Sequence, residues 1–427
     1  MEVSRVACKG WRQNASCRGL ANMNYGRMVG KAEAIVATGM PGFYRVIAFM
    51  GVERIYSLGD LGRAASAFSV AQILAFFSAI GWASLILVRI PAARDRDERV
   101  ERFYELLRMG TVSVLLIGAV VLLWTRFFAR NISGPEIVAI LVGWTFYQLS
   151  RHYFLAQREY RRVIVYDLIL LVLTATFVVL LHKAGMTAGW PLGGALAAVG
   201  ALMMVNIGLP KRLPGRWSFE LKGLEFGFTN FLSGGVALSL VPIANLTDGA
   251  RFAGVISLIA SFGAISALIP RAISMYRLPE LSRLVSVGQP LTDLTARTFR
   301  EISLACGATF IVNGAIVLGI VFYEGTAGRF WYALICGLAI CAQGCISMLG
   351  MAHSSVLMVR EESRESVVIN LISCSTFIAA LGIFYVAAGG LNFAFVLAVC
   401  IAVTVARNLM LKRRSSIFLL PVAVADR

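Results

Sequence analysis

Residues 64–88 read AASAFSVAQILAFFSAIGWASLILV, a run of 25 residues without Asp, Glu, Lys or Arg. An apolar run of about 20 residues is long enough to cross the hydrocarbon core of a bilayer as a helix. Comparable charge-free runs follow at residues 226–247, 302–323 and 330–359. The sequence therefore predicts a membrane protein with several transmembrane helices.

The composition supports this prediction. Of the 427 residues, 58% are hydrophobic and 15% are charged, and the mean hydropathy is +0.76. A soluble domain of this length does not carry so much apolar surface. We predict an all-α polytopic membrane protein with about twelve transmembrane helices. The predicted spans lie near residues 33–53, 64–88, 109–126, 136–157, 163–182, 188–209, 226–246, 252–275, 302–323, 330–352, 366–386 and 391–410.

Lys and Arg are distributed unequally between alternate loops. About 29 of them fall in the two tails and every second loop, whereas the intervening loops hold 7. Because Lys and Arg mark the cytoplasmic side of membrane proteins, both termini are predicted to be cytoplasmic. This topology accounts for most of the net charge of +17, so no nucleic-acid partner is expected. Residues 1–30 lack a signal-peptide core, and a start at Met23 or Met28 is an alternative to Met1.

Two short segments of the chain match at a constant offset. Residues 60–69 (DLGRAASAFS) and 248–257 (DGARFAGVIS) share Asp, Arg, Ala and Ser at equivalent positions. Six predicted spans separate the copies, so both enter the membrane in the same direction, which favours two six-helix lobes. The predicted units are a basic cytoplasmic tail at 1–30, lobes at 31–210 and 224–410, a cytoplasmic linker at 211–223 and a cytoplasmic tail at 411–427.

Two other sequence features bear on the shape of the helices. Residues 89–108 and 277–300 alternate charged and apolar positions, which predicts two amphipathic helices lying at the headgroup level. Pro41-Gly42, Gly234-Gly235, Pro242 and Pro270 lie inside predicted spans. These residues favour either bendable helices of a transporter or close packing through small residues.

Ionisable side chains inside predicted spans are candidates for function, since their burial in a membrane is costly. Arg45 lies about a dozen residues into its helix, and a guanidinium binds two phosphate oxygens at once. The alternative for Arg45 is an ion pair or carbonyl contact within a kinked helix. Arg271 is a second candidate for substrate binding, with snorkelling as its alternative, and Arg407 is predicted to snorkel to the cytoplasmic headgroups.

The remaining candidates are one charged pair and three amides. Arg151 and Asp167 flank a short loop, which predicts a structural salt bridge, with ion coupling by Asp167 as the alternative. Gln72, Asn230 and Asn245 are candidates for binding sugar hydroxyls, although interhelical hydrogen bonding is the commoner use of such groups.

Several classes of chemistry find no motif in the sequence. The eight Cys and three His residues show no zinc-site spacing, so no metal or other cofactor is expected. No predicted outer loop exceeds about a dozen residues, and no catalytic pair of carboxylates is apparent. An enzyme is therefore not expected, and a membrane glycan transferase is the third alternative for function.

Residues 51–82, GVERIYSLGDLGRAASAFSVAQILAFFSAIGW, resemble the outer turn and second helix of polysaccharide flippases. Residues 248–281 are similar to the matching segment of the second lobe. These flippases belong to the multidrug, oligosaccharidyl-lipid and polysaccharide exporter (MOP) superfamily. The resemblance implies a MATE-like, O-antigen-flippase-like transporter of the bacterial inner membrane.

The resemblance also implies a substrate and partners. Flippases of this kind move undecaprenyl-pyrophosphate-linked sugar repeat units from the inner to the outer leaflet by alternating access. The expected partners are the lipid-linked sugar, membrane lipids, and the polymerase and glycosyltransferases of polysaccharide synthesis. The alternative within the same fold is an ion-coupled exporter of small molecules or drugs.

Overall fold

The computed structural model describes residues 33–127, 133–211, 221–324, 329–360 and 362–419, and these residues are almost entirely helical. The predicted tail at 1–30, most of the linker at 211–223 and the last residues of the C-terminal tail lie outside these ranges. The helices are α1 (Glu33–Ile55), α2 (Leu58–Ala75), α3 (Gly81–Arg89), α4 (Arg96–Phe127), α5 (Gly134–Ala156), α6 (Tyr160–Lys183), α7 (Gly189–Ile207), α8 (Lys222–Asp248), α9 (Ala250–Ser266), α10 (Leu268–Ser286), α11 (Thr292–Tyr323), α12 (Phe330–Leu349), α13 (Met351–Val359), α14 (Ser363–Ala388) and α15 (Phe393–Ser416).

The predicted fold class is confirmed. Three pairs of helices, α2 with α3, α9 with α10 and α12 with α13, each form one continuous segment, so the fifteen helices of the described residues make twelve helical segments. Eleven of these segments are long and apolar enough to span a membrane by composition alone. The twelfth, α5, is less apolar because it carries Glu136, Gln148 and Arg151, and most of its residues are buried against other helices.

The two predicted interfacial helices are wrong. Residues from Arg96 onward form the first turns of α4, which continues unbroken to Phe127. Residues 277–300 divide between the end of α10 and the start of α11. A pair such as Glu98 and Arg102, 2.5 Å apart at a spacing of four residues, stabilises helical structure outside the apolar run, so the span helix continues through the charged residues.

Pro41-Gly42, Gly234-Gly235 and Pro242 lie inside continuous helices, whereas Pro270 lies three residues after the break between α9 and α10 at Ala267. Helix α1 runs through Pro41-Gly42 without a break, and α8 runs through Gly234-Gly235 and Pro242. Neighbouring helices in a membrane protein support such positions, so proline is tolerated within a span. Gly389, with φ +70°, forms the turn between α14 and α15.

We call α1–α7 the N-terminal lobe and α8–α15 the C-terminal lobe. The lobes meet where α2 packs on α9 and α3 packs on α8. A Cβ atom at Gly62 would collide with the carbonyl oxygen of Ala250, and one at Gly81 would collide with that of Gly223. Small residues are what allow helix backbones in membranes to approach so closely.

The contact at Gly62 also bears on the internal repeat. At the offset that aligns the two copies, residue 62 is equivalent to residue 250. Equivalent positions of the two lobes therefore face each other, as expected where a pseudo-two-fold axis crosses the interface. The helices that carry the repeat, α2 and α9, are among those that hold the lobes together.

Candidate functional site

A cavity of about 360 Å³ lies at the junction of the two lobes. Helices α8 to α12 of the C-terminal lobe form most of its wall, and the N-terminal lobe contributes Arg45 of α1 and Phe76. Its volume falls within the range of roughly 300–1,000 Å³ that is typical of ligand pockets. A ligand in this cavity would contact both lobes.

Irregular helix geometry borders the cavity in both copies of the repeat. Residues Phe76–Ile80 form a π-helical segment between α2 and α3. The equivalent residues of the second copy are 264–268, where α9 ends at Ser266 and α10 begins at Leu268. Insertions of π-helix in α-helices occur frequently at functional sites. The repeat thus places a local irregularity of each lobe beside the same cavity.

Two arginines give the cavity a positive charge. Arg45 and Arg271, both predicted as substrate-binding residues, line it together, and none of the described lining residues is Asp or Glu. The Nε of Arg45 is buried and has no hydrogen-bond partner among the described residues, and its guanidinium lies 5.2 Å from the ring centre of Phe49. Neither arginine forms an ion pair with the residues that the structure describes. An unpaired guanidinium at membrane depth is expected to face water or a ligand.

The three predicted sugar-binding amides do not line this cavity. Asn230 lies one helical turn before Ser233, the first residue of α8 in the wall, and Asn245 lies one turn after Val241, the last. They share a face of α8 with the cavity but lie beyond its two ends. Asn230 donates back to the carbonyl oxygen of Phe226 at 2.8 Å. Gln72 lies on α2, and its Oε1 is buried without a partner in the described part of the chain.

Arg151 and Asp167 form a buried ion pair within the N-terminal lobe. The side chains approach to 3.3 Å, and Arg151 and Asp167 are 4% and 0% exposed. Asp167 also accepts a hydrogen bond from the hydroxyl of Tyr147 at 2.6 Å. Arg151 donates to the carbonyl oxygen of Ala37, which ties α5 and α6 to the first turns of α1. The pair does not line the cavity, and this geometry favours a structural role over ion coupling.

Arg407 makes one hydrogen bond within the C-terminal lobe, and its snorkelling to the headgroups stays a prediction. Its Nε donates to Oδ1 of Asn370 at 2.6 Å, so it links α15 to α14 within the C-terminal lobe. Arg407 is not among the residues that line the cavity.

Two polar residues of the cavity were missed by the sequence analysis. Asn313 of α11 and Gln343 of α12 both line the wall and are 4% and 7% exposed. Each lies within a charge-free apolar run, and an uncharged amide there is equally compatible with interhelical packing. The sequence did show each of these residues as an isolated amide inside a predicted span. Whether such a side chain faces a cavity or another helix depends on helix packing, which the sequence does not define.

A second contact joins the lobes at the end of the bundle that the loop charges assign to the outside. Arg54 donates to the hydroxyl of Tyr323 and stacks 4.9 Å from the centre of its ring. Next to Tyr323, the backbone carbonyl of Glu324 accepts from Arg251 at 3.4 Å. Burial, and then the negative charge of Glu53 from the other lobe, raise the pKa of Glu324. Two acids of opposite lobes therefore lie beside the Arg54–Tyr323 contact.

Comparison with known proteins defines the fold. No family model and no curated protein sequence matches the chain. Among solved structures, the eukaryotic MATE transporter AtDTX14 is similar with a TM-score of 0.58, 16% identity and coverage of 90% of this chain and 93% of that one. The MATE multidrug transporter DinF-BH is similar with a TM-score of 0.60, 14% identity and coverage of 92% and 96%.

The chain has a MATE transporter fold. A third similar structure is a MOP superfamily transporter from Pyrococcus furiosus, with a TM-score of 0.55, 11% identity and coverage of 91% and 94%. At such low identities the likeness establishes the MATE fold but not the substrate. The fold agrees with the MATE-like architecture that the resemblance implied, whereas the polysaccharide-flippase specificity stays a prediction.

Proposed function

We propose that this protein is a flippase that moves a lipid-linked oligosaccharide of the undecaprenyl-pyrophosphate type across the membrane by alternating access. The observation that carries the proposal is the pairing of Arg45 and Arg271 in a cavity whose described lining residues include no acid. One arginine comes from each lobe, so an anionic ligand between them would contact both moving parts.

The sign of the charge distinguishes the two classes of substrate. A diphosphate brings negative charge into a site of low dielectric constant, where fixed guanidinium groups stabilise it. A cationic drug in the same cavity would be repelled by both arginines and would find no carboxylate among the described lining residues. The similar Pyrococcus furiosus transporter is itself described as having a binding pocket of reversed polarity that suggests a different function.

The size of the cavity limits what it encloses in this conformation. A volume of about 360 Å³ suits a diphosphate with the first sugar rather than a complete repeat unit. The remaining sugars require the lobes to separate on one side, as alternating access provides, and the prenyl chain stays among the lipids. We place the protein in the bacterial inner membrane with both termini cytoplasmic, next to the polymerase and glycosyltransferases that use the same lipid.

The alternative of an ion-coupled exporter would require an accessible coupling group. Asp167, the candidate, is fully buried, paired with Arg151 and outside the cavity. No observation in the described part of the chain favours the third alternative, a membrane glycan transferase. We therefore rank the flippase first and the exporter second.

The test is transport by the purified protein in proteoliposomes. A fluorescent polyprenyl-diphosphate oligosaccharide is placed in both leaflets, and its transfer is followed by the access of a lectin added outside. We expect the wild type to transfer the lipid and Arg45→Ala to reduce the rate at least tenfold, since a charge-assisted hydrogen bond contributes about 1.5–3 kcal/mol. Arg63→Ala is the matched control, because Arg63 is exposed and pairs with Asp60 at 2.5 Å.

Equal transfer by the wild type and by Arg45→Ala, with empty liposomes inactive, would overturn the role of Arg45 in binding the diphosphate. A wild-type protein that leaves the lipid in place but moves a cationic dye in response to an ion gradient would overturn the flippase assignment and establish the exporter.

A further inference from the structure

We propose that Asn313 and Gln343 form a sugar-binding subsite on the C-terminal wall of the cavity, which recognises the sugar attached to the diphosphate. The inference rests on the proposed function and assigns a ligand chemistry to the part of the cavity that the arginines do not explain. It also replaces the amides predicted from the sequence with two others.

Asn313 has one amide atom engaged and one unused. Its Oδ1 accepts a hydrogen bond from the hydroxyl of Ser266 at 2.7 Å, which ties α11 to the end of α9. The other amide atom, Nδ2, has no partner among the described residues, although the side chain is 4% exposed and lines the cavity. The contact with Ser266 fixes the plane of the amide, so the free N–H groups have a defined direction.

Gln343 shows the complementary arrangement on the next helix. Its Nε2 donates to Oγ1 of Thr404 at 3.4 Å, which ties α12 to α15. The carbonyl oxygen Oε1 has no partner in the residues that the structure describes, and the side chain is 7% exposed in the cavity wall. The two amides thus present a hydrogen-bond donor from α11 and an acceptor from α12, which pack against each other.

Neither unused atom is fully buried in the protein, so both face the open space of the cavity, where water or a ligand pairs with them. A ligand that displaces the water without replacing its hydrogen bonds leaves a desolvated donor or acceptor, which costs about 1–3 kcal/mol. A ligand hydroxyl satisfies either amide, since it both donates and accepts, and an acetamido group offers one donor and one acceptor. Sugars supply these groups at high density without charge.

The division of the cavity follows from these chemistries. The guanidinium groups of Arg45 and Arg271 match the diphosphate, and the two neutral amides match the adjoining sugar. Most of the other lining residues are apolar or small, such as Ile256, Ala260 and Ile340. Specificity for the sugar would therefore depend on the α11–α12 wall, and affinity for the lipid diphosphate on the arginines.

The test compares sugar-free and sugar-bearing ligands on the purified full-length protein. One ligand is a short-chain polyprenyl diphosphate without sugar, and the others are the same lipid carrying a single hexose or a single N-acetylhexosamine. The dissociation constant of each is measured by microscale thermophoresis in detergent. We expect at least one sugar-bearing lipid to bind the wild type more tightly than the sugar-free lipid.

The variants separate recognition of the sugar from recognition of the phosphate. Asn313→Leu and Gln343→Leu are each expected to weaken the sugar-bearing lipid about tenfold and to leave the sugar-free lipid within about twofold of the wild type. Arg45→Ala is expected to weaken both lipids alike. Gln72→Leu is the matched control, since Gln72 is an amide within a span but outside the cavity. If Asn313→Leu fails to fold, Asn313→Ser replaces it, with affinity for the sugar-free lipid as the test of folding.

The outcomes are distinguishable. Equal weakening of both lipids by the Asn313 and Gln343 variants would show that the amides only hold helices together and would overturn the subsite. The same conclusion follows if no sugar-bearing lipid binds the wild type better than the sugar-free lipid. Failure of the wild type to bind either lipid would instead overturn the proposed function, and the subsite with it.

Discussion

Replacing Asp167 by Asn tests whether the buried charged pair of the N-terminal lobe is structural or couples transport to an ion. The carboxylate of Asp167 is fully buried, lies 3.3 Å from Arg151 and accepts from Tyr147 at 2.6 Å. The substitution removes the negative charge and leaves Arg151 as an uncompensated buried cation. Breaking a buried ion pair in this way costs about 3–5 kcal/mol.

The magnitude can be divided between the contacts. An amide oxygen at position 167 still accepts from Tyr147, so that hydrogen bond, at about 0.5–1.5 kcal/mol, is largely kept. The loss comes from the charge of Arg151, whose guanidinium also holds the carbonyl oxygen of Ala37 in α1. The double variant Asp167→Asn with Arg151→Met removes both charges and keeps an acceptor for Tyr147, and we expect it to recover most of the loss because no charge remains buried.

The assay is unfolding of the purified protein in mixed micelles with increasing sodium dodecyl sulfate, together with lipid transfer in proteoliposomes. We expect the single variant to lose about 3–5 kcal/mol and the double variant clearly less, with transfer recovering in parallel. A single variant as stable as the wild type that has lost transport and its pH dependence would refute the structural role. That result would establish Asp167 as a coupling group.

Three further predictions concern the contacts between the lobes. Gly62→Val is expected to prevent assembly of a monodisperse protein in size-exclusion chromatography, whereas Gly51→Ala, with no atom within 4 Å of the added methyl group, is expected to behave as the wild type. Arg54→Ala removes the contact with Tyr323, and spin labels on the outer ends of the two lobes should then show a longer distance. The pKa of Glu324 is raised by burial and by the charge of Glu53, so its neutral form prevails once the pH falls through that pKa. Protonation removes the repulsion between the two acids, so acidification should shorten the distance between the outer ends of the lobes. Glu324→Gln should remove this pH dependence.

The fold was largely predictable because the membrane imposes it. Long charge-free runs and the alternation of basic loops both depend on local sequence, and the structure has a helix at every predicted span. The interfacial helices were mispredicted because charged and apolar residues at helical spacing look the same in a helix that lies along the membrane and in one that continues a span. The extension of α4 back to Arg96 illustrates this limit.

The candidate site was predictable for charges and not for amides. An arginine within a span is costly enough to indicate a cavity, and Arg45 and Arg271 do lie together in one. An amide carries no such signal, since membrane helices tolerate it in many settings. Asn230 and Asn245 share a face of α8 with the cavity but lie beyond its ends, whereas Asn313 lies within its wall. The difference depends on how the helices pack around the cavity, which the sequence does not show.

At Gly62 and Gly81 the backbone of one lobe lies directly against the backbone of the other, with no side chain between them. Because no side chains interlock at these two glycines, a tilt of one lobe against the other requires no change of rotamer there. For the same reason neither position accepts a larger residue, since even a methyl group would push the two backbones apart. We therefore expect random mutagenesis to find these two positions among the least permissive in the chain, although neither touches the cavity that carries the chemistry.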